Sequence, residues 1–256
     1  MEAPDLLYDL LFELLNETRH KILFFLSMGP IRVTEISSRL DLTSQEASRH
    51  ISRLMKIKLI NRDNSGEYRI NNFGLQVLQI LEEFEFISIY QDYLLSHNLG
   101  GIPAEFLKRM GELKGCRYID NVMIFLSHID NFFNESIGNL SLIFNQFPLN
   151  SIDIVKLKLE QGMNFRVIGP KDGIISPDSQ LGRTVENFTK DFMLYPLVEY
   201  KILDPFNIIL FVSSKKAVIS FPTLKGDFDY RGFVCEDLKS IMWFQSLFGW
   251  YWDSLE

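Results

Sequence analysis

Residues 42–60 read LTSQEASRHISRLMKIKLI, and their reading decides the fold of the first part of the chain. Thr43 or Ser44 can cap a helix, and Glu46 stands near its third position, as in a capping box. Ala47, Ile51 and Leu54 recur at i, i+4 and i+7, giving that helix one apolar face. Ser44, Gln45, Ser48, Arg49, Ser52 and Arg53 fall largely on the other side. Arg49, His50, Arg53, Lys56 and Lys58 crowd this one segment of a chain whose formal net charge is −7. A solvated helix face would explain charge alone. Small polar residues mixed with arginine fit a helix in a DNA groove, because they admit close backbone approach and leave groups that bond phosphate or base edges.

The flanks extend this reading. Upstream, Thr34 is expected to cap a helix that buries Ile36 and Leu40, and Asp41-Leu42 makes the turn into the next helix. Residues 5–28 carry leucine, isoleucine and phenylalanine at helical spacing, as one helix or as two if Asn16 interrupts; Gly29-Pro30 ends the run. Downstream, the extended runs LINR (59–62) and YRIN (68–71) flank DNSGE, whose Asn-Ser-Gly is hairpin turn chemistry. A helix–turn–helix followed at once by a β-hairpin is a winged helix, in which the second helix enters the major groove and the hairpin lies on the flanking backbone. The candidate DNA-binding residues are therefore Thr43, Ser44, Gln45, Ser48, Arg49, Ser52 and Arg53 on the helix, with Arg62 and Arg69 on the hairpin. Lys56 and Lys58 serve as backbone contacts or solubility residues, and His50 lies between faces.

The totals agree with this. At 256 residues, 46% hydrophobic and with 22 Phe, the chain is long enough for two domains with real cores. Residues 16–70 hold ten basic and six acidic residues, a net of +4, so the acidic excess belongs to the C-terminal part. The longest apolar runs, FNIILFV and VMIFL, fall far short of the ~18 residues of a membrane span. The acidic N-terminus lacks the basic leader of a signal peptide, so a cytoplasmic protein with no membrane partner is expected. Cys116 and Cys235 lie outside any CxxC or histidine pair, so they are expected to be reduced thiols, with no metal site and no cofactor.

Residues 73–96 follow a long helical pattern, too apolar for a free linker, which packs on the next domain or pairs with its copy; HNLGGIP then breaks it. Beyond Pro103 helical and extended patterns alternate. Helices are expected over PAEFLKRMGEL, MIFLSHIDNFFNES, SIDIVKLKLEQG, 180–193 and 235–255, and strands at CRYID, LSLIFNQF, NFRVIG and LVEYKIL, with a hairpin over FNIILFVSSKKAVISFP. The expected architecture is a two-domain α+β or α/β chain. A winged helix-turn-helix DNA-binding domain spans 1–74, a connecting or dimerisation helix 75–100, and an α/β effector-sensing domain 101–256.

The segment YQDYLLSHNLGGIPAEFLKRMGEL (90–113) resembles archaeal winged-helix regulators typified by the Fil-type methanogenesis regulatory protein. Tyr93, His97, Leu99, Ile102, Pro103, Gly111, Glu112 and Leu113 stand in the matching places. The hairpin at 206–222 and the closing WFQSLFGWYWDSL resemble that family's end, and also the effector domain of sugar-responsive TrmB-type regulators, which have a phospholipase-D-like sheet. The chain departs from the family pattern in being Phe-rich and in showing no receiver domain before the helix–turn–helix, so phosphorelay control through this chain is not expected. The resemblance implies a dimeric DNA-binding regulator whose C-terminal phospholipase-D-like sensor domain lacks catalytic residues; it supplies no ligand.

Other candidates weigh less. Phospholipase chemistry needs a histidine nucleophile with lysine two residues on, whereas His20, His50, His97 and His128 are followed at that place by Ile22, Ser52, Leu99 and Asp130. No P-loop or serine elbow appears, so no enzyme is expected. His97 reads as a structural hydrogen bond to its loop; His128 and His20 read as packing. Cys235 sits beside Glu236 and Asp237, which disfavour a reactive thiolate. Aromatic clusters such as Phe132-Phe133 and Trp243 through Trp252 form core, a dimer surface or a pocket. The expected function is sequence-specific, homodimeric transcriptional regulation with double-stranded DNA as partner and a small-molecule effector. The alternative is a protein-interaction adaptor whose winged helix no longer binds DNA.

Overall fold

The computed structural model describes residues 3–146, 149–171 and 180–255 and divides into two compact units, Met1–Glu85 and Phe86–Glu256. In the first unit α1 (Ala3–Leu14) and α2 (Glu17–Met28) are separate helices. Asn16 makes the break: it is extended, and its side chain accepts a hydrogen bond from the Arg19 N–H, capping α2. Helix α3 (Val33–Leu40) follows, then α4 (Ser44–Lys56), strands β1 (Ile60–Arg62) and β2 (Tyr68–Ile70), and α5 (Asn72–Ile89). Thr34 is not the cap of α3. Arg32 occupies that position without a side-chain cap bond, so Thr34 lies inside the first turn. Asp41 takes the left-handed conformation at φ 52°, and the N–H groups of Asp41 and Leu42 both return to the Ser37 carbonyl.

The core of this unit joins Ile22, Leu23 and Leu26 of α2, Ile36 of α3, Ala47, Ile51 and Leu54 of α4, and Val77 and Leu78 of α5. Strands β1 and β2 pair antiparallel with Ile60 opposite Ile70 and Arg62 opposite Tyr68. Ile31 adds a third short rung by exchanging two backbone hydrogen bonds with Tyr68. The hairpin is therefore tied to the strip of chain that links α2 to α3.

The second unit opens with α6 (Gln91–Ser96), α7 (Ala104–Leu107), a 3₁₀ turn (Met110–Leu113), β3 (Arg117–Ile119), α8 (Val122–Glu135) and β4 (Leu140–Ile143). A second 3₁₀ turn (Leu149–Ser151), α9 (Ile152–Glu160), β5 (Phe165–Pro170), α10 (Gln180–Met193) and β6 (Val198–Leu203) come next. Strands β7 (Ile209–Val212), β8 (Ala217–Ser220) and β9 (Gly232–Cys235) and helix α11 (Leu238–Ser254) complete it. Among the described residues the strands form one sheet in the order β3-β9-β8-β7-β4-β5-β6. β4, β5 and β6 are parallel; the other neighbours are antiparallel.

Both faces of this sheet are covered, which is why β4, β7, β8 and β9 are buried at every position. Ile209 and Phe211 point to the face packed by Phe125, Phe132 and Phe133 of α8 and Val155 of α9. Leu210 and Val212 point to the other, packed by Trp243, Phe244, Leu247 and Phe248 of α11. This is the mixed α/β domain that the alternating patterns predict.

Several sequence expectations need correction. The helix expected over 73–96 is interrupted at Tyr90, which leaves helical geometry at ψ 24° while its ring packs against Phe86 and Phe233. PAEFLKRMGEL is not one helix: it breaks at Arg109 into α7 and the 3₁₀ turn. The closing helix starts three residues later than 235, after β9, with Asp237 capping it through the Ser240 N–H. Cys116 and Cys235 are not separate reduced thiols. Their Cα atoms lie 4.3 Å apart and the two are joined as a disulfide beside the β3–β9 pair. Part of the polar region PKDGIISPDSQLGR lies outside the described residues.

Gly232 faces the backbone of β8, where a Cβ would collide with the Ile219 carbonyl. Gly232→Ala is expected to lower the stability of the second unit by about 1–3 kcal/mol, the usual cost of overpacking a filled core; urea denaturation followed by tryptophan fluorescence reads it.

Candidate nucleic-acid interface

Helix α4 is placed by its cap and its apolar stripe. The Thr43 hydroxyl accepts from the Glu46 N–H at 3.2 Å, and the Glu46 carboxylate accepts from the Thr43 N–H at 2.9 Å, closing a capping box. The hydroxyl of Thr43 also donates to Glu46 at 2.8 Å, so this side chain is committed to the cap. These bonds hold the Glu46 carboxyl below its usual value. Ala47, Ile51 and Leu54 are fully buried. Their burial turns Ser44, Gln45, Ser48, Arg49, Ser52 and Arg53 to solvent on one continuous face.

The arginines of this face differ. Among the described residues Arg49 forms no ion pair and stands exposed in the middle of it. Arg53 is exposed but leans on Glu13 of α1, its guanidinium 3.6 Å from the carboxylate. The same carboxylate lies 3.1 Å from buried Arg19 of α2, whose guanidinium also donates to the Glu13 and Phe12 carbonyls. Glu13 thus links α1, α2 and α4 beneath the surface that faces outward. Sequence reading missed it because an acidic residue in an apolar helix carries no sign of its tertiary partner. Ser52 donates to the Ser48 carbonyl at 2.8 Å, which leaves its oxygen as an acceptor.

The hairpin tip is built around Asp63. Its carboxylate accepts from the Ser65 hydroxyl, the Ser65 and Glu67 N–H groups and Arg69, and these hold its pKa at about 2. Gly66 supplies the left-handed residue of the turn at φ 84°. Arg69 is 3.0 Å from Asp63 and 3.9 Å from Glu67, so it is tied to the hairpin itself. Arg62 remains exposed with its guanidinium over the Tyr68 ring at 5.5 Å. Arg32, which sequence reading passed over, stands near the hairpin, 3.8 Å from Glu67.

His50 is half-buried on the inner edge of α4, and its Nδ1 has no hydrogen-bond partner. Burial first, then the positive charges of Arg19, Arg49 and Arg53, push its pKa below the ordinary value. A neutral ring is the form that fits beside three guanidiniums. His97 is hydrogen-bonded, but not to the loop backbone expected of it: Nδ1 lies 2.8 Å from the Tyr93 carbonyl in α6 and Nε2 3.2 Å from Asp229. Among the described residues no cluster of three histidine, cysteine or acidic side chains could hold a metal. No helix among them is long and apolar enough to cross a membrane.

Residues 16–62, from the cap of α2 to the end of β1, match the model of the family described as bacterial regulatory protein, arsR family. That match makes this region a winged helix–turn–helix of transcription-regulator type and the chain, at that level, a DNA-binding transcriptional regulator. No curated protein matches the sequence. Among solved structures, TrmBL2, described as an archaeal chromatin protein with a novel mode of DNA binding, is 14% identical over 94% of each chain, with a TM-score of 0.43. NucT from Helicobacter pylori is 11% identical over 55% of this chain and 95% of its own, at 0.40. The S-adenosylmethionine-dependent methyltransferase SibL is 12% identical over 73% of this chain and 60% of its own, at 0.27.

Glu13→Gln removes the counter-charge of a buried arginine. It is expected to cost the first unit about 1–3 kcal/mol, nearly all through Arg19, since the exposed Arg53 pair is worth little; chemical denaturation measures it. His50 sets a pH dependence. As pH falls below about 6.5 the unfolded chain takes up a proton while the native ring stays neutral down to its lowered value, so stability is lost over that interval. Hydrogen-exchange protection in α2 to α4, corrected for intrinsic rate, should fall between pH 7.5 and 5.5, and His50→Gln should flatten the decline.

Proposed function

We propose that this protein is a sequence-specific, homodimeric transcriptional regulator whose second unit senses a small-molecule effector. The observation that carries the reading is the outward face of α4, where unpaired Arg49 stands among Gln45, Ser48 and Ser52. In this reading Gln45, Ser48 and Arg49 read base edges in the major groove, and Thr43 serves the approach through its cap. Ser44, Ser52, Arg53, Arg62 and Arg69 meet the phosphate backbone. The intramolecular ion pairs of Arg53 and Arg69 exchange for phosphate contacts on binding.

Dimerisation is supported by apolar surface that a monomer has no use for. Leu6, Leu7, Tyr8, Phe12 and Leu15 are exposed on and just after α1, and Phe73, Ile80 and Phe84 on α5. Pairing through these helices would present two copies of α4 to half-sites about 34 Å apart on a pseudo-palindromic operator. The kinship with Fil-type regulators rests on the resemblance of residues 90–113, and the effector role of the second unit and its phospholipase-D-like ancestry without catalysis rest on that of the hairpin 206–222 and the closing helix.

One observation favours a second reading, a protein-interaction adaptor: two of the four arginines on the helix and hairpin already have carboxylate partners. Arg49→Ala separates the two. It is expected to weaken operator binding by about 1–3 kcal/mol in a gel shift at fixed salt. Binding of the wild-type protein to random duplex DNA should weaken steeply as salt rises. Unchanged affinity in the variant together with a flat salt response would favour the adaptor.

A further inference from the structure

A small cavity of about 240 Å³ opens in the second unit where the sheet changes direction. β4 is parallel to β5 on one side and antiparallel to β7 on the other, and the cavity lies beyond the carboxyl end of β4. In α/β sheets such a place is where ligands settle, because the chain diverges there and leaves a crevice between loops. The walls come from several elements: Asp130 from α8, Phe144 and Asn145 after β4, Asn150, Phe211 from β7, and Tyr230 before β9.

Three features single this cavity out. Asp130 is held in position by the Ser151 hydroxyl at 2.9 Å and the Asn150 amide at 3.2 Å, one on each carboxylate oxygen. Among the described residues no cation pairs with it, and no lysine, arginine or histidine lines the cavity. The fixed carboxylate keeps acceptor capacity toward the open space. Tyr230 holds the left-handed conformation at φ 54°, a strained choice for an aromatic residue, and its hydroxyl reaches Asn145 at 3.5 Å. Phe144, Phe211 and Tyr230 bring π-systems to the same walls.

We propose that this cavity binds a small organic ammonium compound, a protonated amine on a short apolar body. The carboxylate supplies the counter-charge, and the aromatic rings favour a cation over a neutral group of the same shape. Among the described residues the cavity presents a negative charge and no basic side chain, a lining that favours a cation over a carboxylate or phosphate. The volume, about eight times the ~30 Å³ share of a water molecule, sets the size. The proposal deepens the effector reading of this unit, on which only its regulatory consequence rests.

The test is a ligand-observed NMR titration of the full chain with benzylamine and isoamylamine, set against benzyl alcohol, isoamyl alcohol and benzoate. Saturable binding of an amine, with its alcohol and benzoate at least about tenfold weaker, is the expected result. Asp130→Asn, shown folded by circular dichroism and thermal melting, should lose amine binding by a similar factor. Equal binding of amine and alcohol, or no binding of either amine, overturns the proposal, as does full affinity in the folded variant. Operator affinity measured with and without benzylamine judges the effector role separately: amine binding with unchanged DNA affinity supports the site and removes that role.

Discussion

The first unit depends on the burial of Ala47, Ile51 and Leu54 along one stripe of α4. Three residues at helical spacing fix the rotation of the helix about its axis, because no other orientation hides them from water. Everything exposed on α4 follows from that rotation, including the central place of Arg49. The capping box fixes where the helix starts, so residues 44 and 45 stand at its N-terminal end, the end a recognition helix offers to base edges. The Glu13 carboxylate adds a second restraint from beneath by linking Arg19 and Arg53.

The two units obey different packing rules. In the first, helices dominate and a two-stranded hairpin is attached through Ile31 and Tyr68. In the second, a sheet is sandwiched between helices, and its inner strands are buried at every position. The acidic excess of the C-terminal part and the local positive charge of residues 16–70 follow the same division. The chain thus keeps a cationic surface on a local scale despite its overall sign.

What could be read from sequence was local. The capping box, the stripe of α4, the Asn-Ser-Gly turn and the hairpin 209–220 each depend on residues a few positions apart. What escaped was decided at a distance. GFVC was missed as a strand because a four-residue apolar run has no readable period, and its identity as β9 comes from pairing with β3 and β8. The Cys116–Cys235 pair spans 119 positions, and no spacing rule connects two lone cysteines. The break at Tyr90 follows from its docking against Phe233, far along the chain. At the candidate interface, the sequence pattern put the arginines on a helix and a hairpin, where the structure has them, but could not tell Arg49, left open, from Arg53 and Arg69, held by Glu13 and Asp63.

The β3–β9 ladder carries a consequence for biosynthesis. β3 lies near the start of the second unit, yet its partner strand is Gly232–Cys235. A ribosome must therefore deliver well over a hundred residues before the sheet can gain that edge, and the loop-closure cost is met late. The helices and hairpin of the first unit pair with near neighbours and can mature while the rest of the chain is still being synthesised. Nascent chains halted midway would thus carry a finished winged module and an unfinished sheet with its apolar strands open to solvent.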